Sequence, residues 1–212
     1  TCPKPMLEVA GKPMLQHIVE RAREQGFRNF IFCINYHGNM IRDFFGEGNK
    51  FGVKIEYVEE SQPLGTAGAL SLIENPPAQN FVVSNGDVLT DVDYTELLNF
   101  LQLHDARGAM AVKLHEWTNP FGVVEMDGLK ITGFSEKPVL RSHVNAGIYA
   151  LTPDVLNLLS PDEYCDMPTV FELLAKEGEK VVAYPMYEPW LDVGRPDDLK
   201  TAQTIPLKKA LG

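Results

Sequence analysis

The sequence predicts an α/β fold, doubly wound around a mostly parallel mixed sheet with an antiparallel insertion. Three observations point there. Short β-branched runs alternate with amphipathic helical stretches through the first half, and an Asp-Gly step separates two strand-like runs in the second half. No repeat, linker or low-complexity tract divides the 212 residues. Strand–helix alternation implies parallel βαβ units, and Asp-Gly between strand-like runs marks a hairpin. With 44% hydrophobic residues the chain can fill one large core, so a single domain over 1–212 is expected.

Met14, Leu15, Ile18, Val19 and Ala22 recur at helical spacing over 13–26, with Gly26 as the stop. A buried strand follows at 30–34 and a helix at 40–45. Residues 53–58 alternate as a strand, a loop with Gly and Pro covers 59–65, and 67–73 reads as helix until Pro76-Pro77 ends it. Phe81-Val82-Val83 is short, β-branched and halted by Ser84-Asn85-Gly86, the pattern of a strand buried on both faces of a parallel sheet. An amphipathic helix at 94–103 and a strand at 109–114 come next. The hairpin pairs 122–126 with 129–134 about a Met126-Asp127-Gly128 turn. A strand at 144–151, helices near 153–159 and 169–176, a strand at 181–184, a tight segment at 190–194 and a helix from Pro196 close the chain.

Bulk properties exclude several functions. A net charge of −10 argues against a nucleic-acid partner, which needs a basic surface to displace counterions. No apolar stretch approaches the roughly 20 residues of a membrane-spanning helix, and no signal-peptide pattern opens the chain, so a cytoplasmic protein with no membrane partner is expected. Cys2, Cys33 and Cys165 are widely spaced, without a Cys-x-x-Cys pair, and read as reduced thiols. The histidines are scattered too, with no i, i+4 pair to grip zinc.

Asp87, delivered by the apolar run at 81–83, stands at the C-terminal end of a strand, the edge where open α/β sheets bind ligands. Its other reading is an aspartate that shapes a turn or caps the next helix. Trp190-Leu191-Asp192-Val193-Gly194 repeats the pattern, and two acids meeting at one sheet edge would suit Mg²⁺ that also holds phosphates. Asp192 as a helix cap is disfavoured because Asp197 and Asp198 already serve that turn. In the loop Glu59 to Leu70, Gly65 and Gly68 permit close backbone approach, and the following helix N-terminus would offer N–H groups to a nucleotide; otherwise the glycines serve only the turn. Lys137, directly after a strand, and Lys4, stiffened between prolines, would neutralise phosphate or else be solvated surface lysines.

The strings P-K-P-M-L-E-V-A-G-K-P-M-L, P-L-G-T-A-G-A-L, N-G-D, F-G-V-V-E, E-K-P, N-A-G-I-Y and W-L-D-V-G-R-P occur in that order over nearly the whole chain. Together they resemble the sugar-1-phosphate nucleotidyltransferases, or nucleotide-sugar pyrophosphorylases. The likeness is greatest to the bacterial mannose-1-phosphate and glucosamine-1-phosphate guanylyltransferases. The resemblance implies a Rossmann-like fold and Mg²⁺-dependent transfer of a nucleotidyl group from a nucleoside triphosphate to a sugar-1-phosphate, releasing pyrophosphate. It implies that Asp87 and Asp192 are the metal carboxylates, that Lys4 binds the nucleotide phosphates and that Lys137 clamps the sugar phosphate. Glu60, Gly65, Thr66 and Gly86 would hold the nucleotide, and Gly122, Glu136 and Asn145 the sugar. It further implies a first strand and a glycine-rich loop, G-G-x-G-T-R-x-x-P-x-T; neither occurs in these residues, and both are expected upstream of Thr1. A homo-oligomer or an added N-terminal regulatory domain is compatible with the family.

Glu60 bears on the base. A carboxylate only accepts hydrogen bonds, and guanine offers N1–H and an exocyclic amine side by side, so GTP is expected. A thymidylyl- or uridylyltransferase is the alternative within the family, and a non-catalytic nucleotide-sugar sensor the alternative outside it. The retention of Asp87, Asp192, Lys4 and Lys137 favours an enzyme. A dinucleotide-dependent oxidoreductase would need G-x-G-x-x-G, which does not occur.

Overall fold

The structure, a computed structural model, describes residues 2–193; the helix expected from Pro196 and the caps Asp197 and Asp198 lie outside the described residues. The chain opens with a short 3-10 turn, Lys4–Met6, and a tight hairpin of β1 (Glu8–Val9) and β2 (Lys12–Pro13). Helix α1 (Met14–Glu24), β3 (Asn29–Ile34), α2 (Gly38–Phe45) and β4 (Lys54–Glu59) follow, with β3 and β4 paired in parallel. Leu15 and Val19 of α1 and Ile41 and Phe45 of α2 bury against Phe32, Ile34 and Ile55 of these strands.

The helix expected at 67–73 is only one turn, α3 (Gly65–Gly68), continued as a 3-10 turn Ala69–Leu72. Then come β5 (Phe81–Ser84), β6 (Val88–Thr90), α4 (Tyr94–Leu103) and the long β7 (Gly108–Thr118). The insertion is a separate two-stranded unit, β8 (Val123–Asp127) with β9 (Lys130–Ser135). Asp127 pairs Lys130, so the turn residues are Gly128 and Leu129, one position later than expected; Gly128 supplies the positive φ of +57°. β10 (Val139–Leu151), a 3-10 turn Pro153–Leu158, α5 (Met167–Lys176), β11 (Val181–Met186) and β12 (Trp190–Asp192) complete the described chain.

The main sheet runs β11-β7-β10-β5 and is mixed: β11 and β7 are parallel, while β10 is antiparallel to both neighbours. β5 therefore pairs antiparallel, and its residues are half-buried, which corrects the expectation of a fully buried parallel strand. Helices cover both faces, as period-two alternation along β10 shows. Ala146, Ile148 and Ala150 pack with Leu97 and Leu101 of α4, whereas Tyr149 and Leu151 pack with Met167, Val170 and Phe171 of α5.

Among the described residues, β3 and β5 each keep one edge unpaired. Every residue of both strands lines a single cavity of about 390 Å³ between the two sheets. Its walls are largely apolar, and Pro5, Gly86, Glu60, Gly65 and Thr66 lie along it.

Candidate active site

Asp87 leaves the end of β5 and enters β6, and β12 returns antiparallel to β6 with Asp192 opposite Val88. The Val193 N–H donates to the Asp87 carbonyl at 3.1 Å, so the two acids occupy neighbouring positions across one strand pair. Burial first and the Asp192 carboxylate second hold the Asp87 carboxyl above the usual range, while Lys4 pulls it down. Lys4 is carried there by the Lys4–Met6 turn, whose Pro5 packs on Gly86; a side chain at Gly86 would meet Pro5 Cγ at 3.0 Å. The helix-cap reading of Asp87 falls, because Asp93 caps α4 through the Thr95 and Glu96 N–H groups.

A bulge in β10, between Asn145 and Tyr149, closes the other side. The Asn85 N–H donates to the Gly147 carbonyl at 2.8 Å, and Gly147, with φ +73°, lies so near Asn85 that a Cβ there would come within 2.7 Å of Asn85 Nδ2. Trp190 Nε1–H ties β12 to the Ala146 carbonyl at 2.9 Å. Asn145 stands at this bulge with its amide engaged, donating to the Tyr149 hydroxyl at 2.7 Å and accepting from the Gly147 N–H at 2.9 Å.

The loop before α3 is anchored differently from its sequence reading. The Thr66 N–H donates to Asp166 Oδ1, and the Ala67 and Gly68 N–H groups to the Cys165 carbonyl, so these N–H groups serve the protein and not a ligand. Gly65 and Gly68 have the same cause: a Cβ on either would sit 2.6 Å from a carbonyl oxygen, of Cys165 and of Glu163 respectively. Glu60 Oε2 accepts the Leu64 N–H at 2.9 Å, which makes Glu60 a loop former as well as a cavity-lining acid. Cys33 opens onto the same cavity and is accessible from it; the protein mass around the slot first, and then the Glu60 charge, push its thiol up to about 12.

On the insertion, Gly122 and Glu136 come together, with Glu136 Oε2 at 3.0 Å from where a Gly122 Cβ would stand. Lys137 follows in the turn between β9 and β10, in the left-handed region at φ +45°, and it and Glu136 are exposed. Among the described residues no group of three or more His, Cys, Asp or Glu side chains could hold a metal ion. Two carboxylates side by side are nonetheless what Mg²⁺ uses when substrate phosphates and waters complete its shell.

A family model described as nucleotidyl transferase matches residues 1–209. The chain belongs to the nucleotidyl transferase family. Among its relatives, the mannose-1-phosphate guanylyltransferase catalytic subunit beta of Danio rerio is 32% identical over 98% of this chain and 60% of its own length. The mannose-1-phosphate guanyltransferase of Yarrowia lipolytica is 34% identical over 98% of this chain and 59% of its own. The chain thus spans about 60% of the length of these relatives. Among solved structures, HddC from Yersinia pseudotuberculosis superposes with a TM-score of 0.71 at 25% identity, covering 95% of this chain and 88% of that one.

For a nucleotidyl transferase, the residues singled out by sequence fall into three places. Lys4, Gly86, Asp87 and Asp192 gather at the β5–β6 and β12 edge; Glu60, Gly65 and Thr66 lie on the cavity loop; Gly122, Glu136 and Lys137 stand on the insertion. Asp166 escaped the sequence reading. Its setting, Asp-Met-Pro before a helical pattern, reads as an ordinary N-cap, and only the fold brings it to Thr66.

Proposed function

We propose that this nucleotidyl transferase makes a nucleotide-sugar from GTP and a sugar-1-phosphate. The observation that carries the reading is the convergence of Asp87, just ahead of β6, and Asp192, on the β12 strand paired with it, with Lys4 beside them. The names of the relatives support guanylyl transfer to mannose-1-phosphate. Glu60 supports GTP less than its sequence position suggested, because one of its oxygens already holds the Leu64 N–H.

In the reaction, an oxygen of the sugar phosphate attacks the α-phosphorus of GTP, and the bond from that phosphorus to the bridging oxygen breaks. Pyrophosphate leaves with the bonding pair. Asp87 and Asp192 would hold Mg²⁺, which when bound neutralises and orients the phosphates. Lys4 would balance charge on the nucleotide phosphates and Lys137 that on the sugar phosphate, while Glu136, Asn145 and the Gly122 backbone would meet sugar hydroxyls. Positioning and charge stabilisation suffice, with no covalent enzyme intermediate.

The cavity between β3 and β5 is proposed to receive a further strand, followed by the glycine-rich loop that the resemblance places ahead of Thr1. Two unpaired edges facing one apolar slot support this, since edge N–H and C=O groups are satisfied by an added strand. No helix among the described residues is long and apolar enough to cross a membrane, and three free cysteines suit the cytoplasm as the proposed location.

The test is pyrophosphate release by the full-length protein with Mg²⁺, mannose-1-phosphate and each of four nucleoside triphosphates. GTP is expected to be preferred, and Asp87→Asn to lower turnover by about two to three orders of magnitude with the fold retained. Near-normal turnover by Asp87→Asn would remove the metal assignment, and an unchanged GTP preference in Glu60→Gln would remove Glu60 from base selection.

A further inference from the structure

Asp166 stands at the N-cap of α5, yet its side chain makes no capping bond to its own helix. The carboxylate is turned across the molecule. Oδ1 accepts the Thr66 N–H at 2.9 Å and the Thr66 hydroxyl at 3.1 Å, while Oδ2 accepts the Tyr164 hydroxyl at 2.8 Å. The Thr66 oxygen in turn accepts the Met167 N–H at 2.8 Å. Thr66 and the start of α5 therefore hold each other through a closed ring of hydrogen bonds. Around it, the Cys165 N–H donates to the Leu64 carbonyl at 2.9 Å, and the Cys165 carbonyl receives Ala67 and Gly68.

We infer that Asp166 is a positioning residue for the base side of the nucleotide site, fixing the Gly65-Thr66 backbone at the cavity wall. This rests on the proposed reading of loop 60–66 as nucleotide-binding. α5 is a rigid mount, because Met167 and Val170 are 0% exposed in the core beneath the main sheet. α3 is only four residues long, too short to hold a position by itself. Leu64 and Ala67 are 0% exposed and pin the backbone on either side, and the Asp166 ring fixes Gly65 and Thr66 between them. Gly65, at φ +79°, presses against Asp166 Oδ1 and the Cys165 carbonyl, so the loop is seated on this segment in a form only glycine adopts cheaply. Charge-assisted bonds from one carboxylate to a backbone N–H and two hydroxyls set the distance between loop and helix more firmly than neutral bonds would. The Asp166 carboxyl is held below its usual range, by the Thr66 N–H first and the Tyr164 hydroxyl next, as expected of an ionised acceptor. Asp166 touches no substrate in this reading; it acts through Gly65 and Thr66.

The test uses the full-length protein with Asp166→Ala, Asp166→Asn and Thr66→Val, varying GTP and sugar-1-phosphate separately and measuring GTP affinity by calorimetry. Loss of the charge-assisted bonds in Asp166→Ala is expected to raise KM and Kd for GTP about tenfold or more, with kcat at saturating GTP and KM for the sugar phosphate within about threefold of wild type. Asp166→Asn keeps an acceptor for Thr66 and should recover most of the loss. Thr66→Val, which removes only the hydroxyl, should shift GTP in the same direction and serves if Asp166→Ala does not fold. Wild-type GTP affinity in Asp166→Ala, or in a folded Thr66→Val, overturns the inference. So does an equal loss for both substrates that tracks the loss of thermal stability. Binding of GTP without turnover sinks the catalytic reading while leaving this inference testable by calorimetry; a wild-type protein that binds no nucleoside triphosphate sinks both.

Discussion

Asp87 and Asp93 bracket one short strand and have opposite surroundings. Asp93 caps α4, and the Thr95 hydroxyl above all, then the Thr95 and Glu96 N–H groups and the Arg21 charge, hold its carboxyl below the usual 3.8. A depressed folded-state value makes the ionised cap stabilising, fully so above the unfolded value of 3.8, and the contribution is lost as pH falls from there through the folded value. Asp93→Ala should therefore cost about 1 kcal/mol in urea unfolding at neutral pH, with the difference shrinking once the pH drops below 3.8. A pH-independent difference would take the charge out of that cap. Lys137 shows the reverse tension, a side chain kept at a left-handed position, φ +45°, that glycine would fill without strain. Lys137→Gly is expected to gain about 1 kcal/mol of stability while raising KM for sugar-1-phosphate by about tenfold or more. A variant that is less stable, or that keeps its KM, would contradict the proposed trade between strain and phosphate binding.

At the scale of elements, the β10 bulge does the most to assemble the acid edge. It turns the Gly147 carbonyl to Asn85 and the Ala146 carbonyl to Trp190, so β5 and β12 are fastened to the same few residues. Gly147→Ala would place a Cβ at φ +73° and 2.7 Å from Asn85 Nδ2. That variant should lose at least about 1–2 kcal/mol of stability by chemical denaturation. Turnover should fall beyond what the stability loss explains, because Asp87 sits two residues past Asn85; full turnover in a destabilised variant would show that the bulge holds the fold but not the acids. Sequence pattern foresaw most elements here, down to the bounds of α4, because alternation and 3.6-residue periodicity are local. It missed the extent of β7 and β10, whose outer ends are largely exposed and so leave no apolar signature. It also made α3 too long, since Ala and Leu favour helix locally while the loop is seated by hydrogen bonds from the 163–167 segment.

At the largest scale, the β3–β4 pair and the main sheet face each other, among the described residues, across a slot instead of a ladder. Among the described residues, Phe32 and Ile34 of β3 are buried in the core while β5 is half-buried, and each strand keeps one edge without a ladder partner, so the amides on those edges have fewer hydrogen bonds to lose. If a strand ahead of Thr1 fills the slot, a protein carrying that segment should exchange the backbone amides of β3 and β5 at least about tenfold more slowly than residues 1–212 alone. It should also melt at a higher temperature. Equal exchange in the two forms would leave the slot as a cavity of the domain and not a strand site.

The sequence by itself determined the α/β class, the helices that flank the strands and the family, because hydrophobic period and turn chemistry are written locally and the ordered motifs run through nearly the whole chain. It also marked Asp87 and Asp192 as acids that end apolar runs. Only the tertiary structure decided that these acids stand across one strand pair, that Thr66, Ala67 and Gly68 of α3 donate their N–H groups to Asp166 and Cys165, and that the Asp166 carboxylate accepts from Thr66 instead of capping its own helix. Those facts depend on strand register and on contacts between residues about a hundred positions apart, which no local pattern encodes.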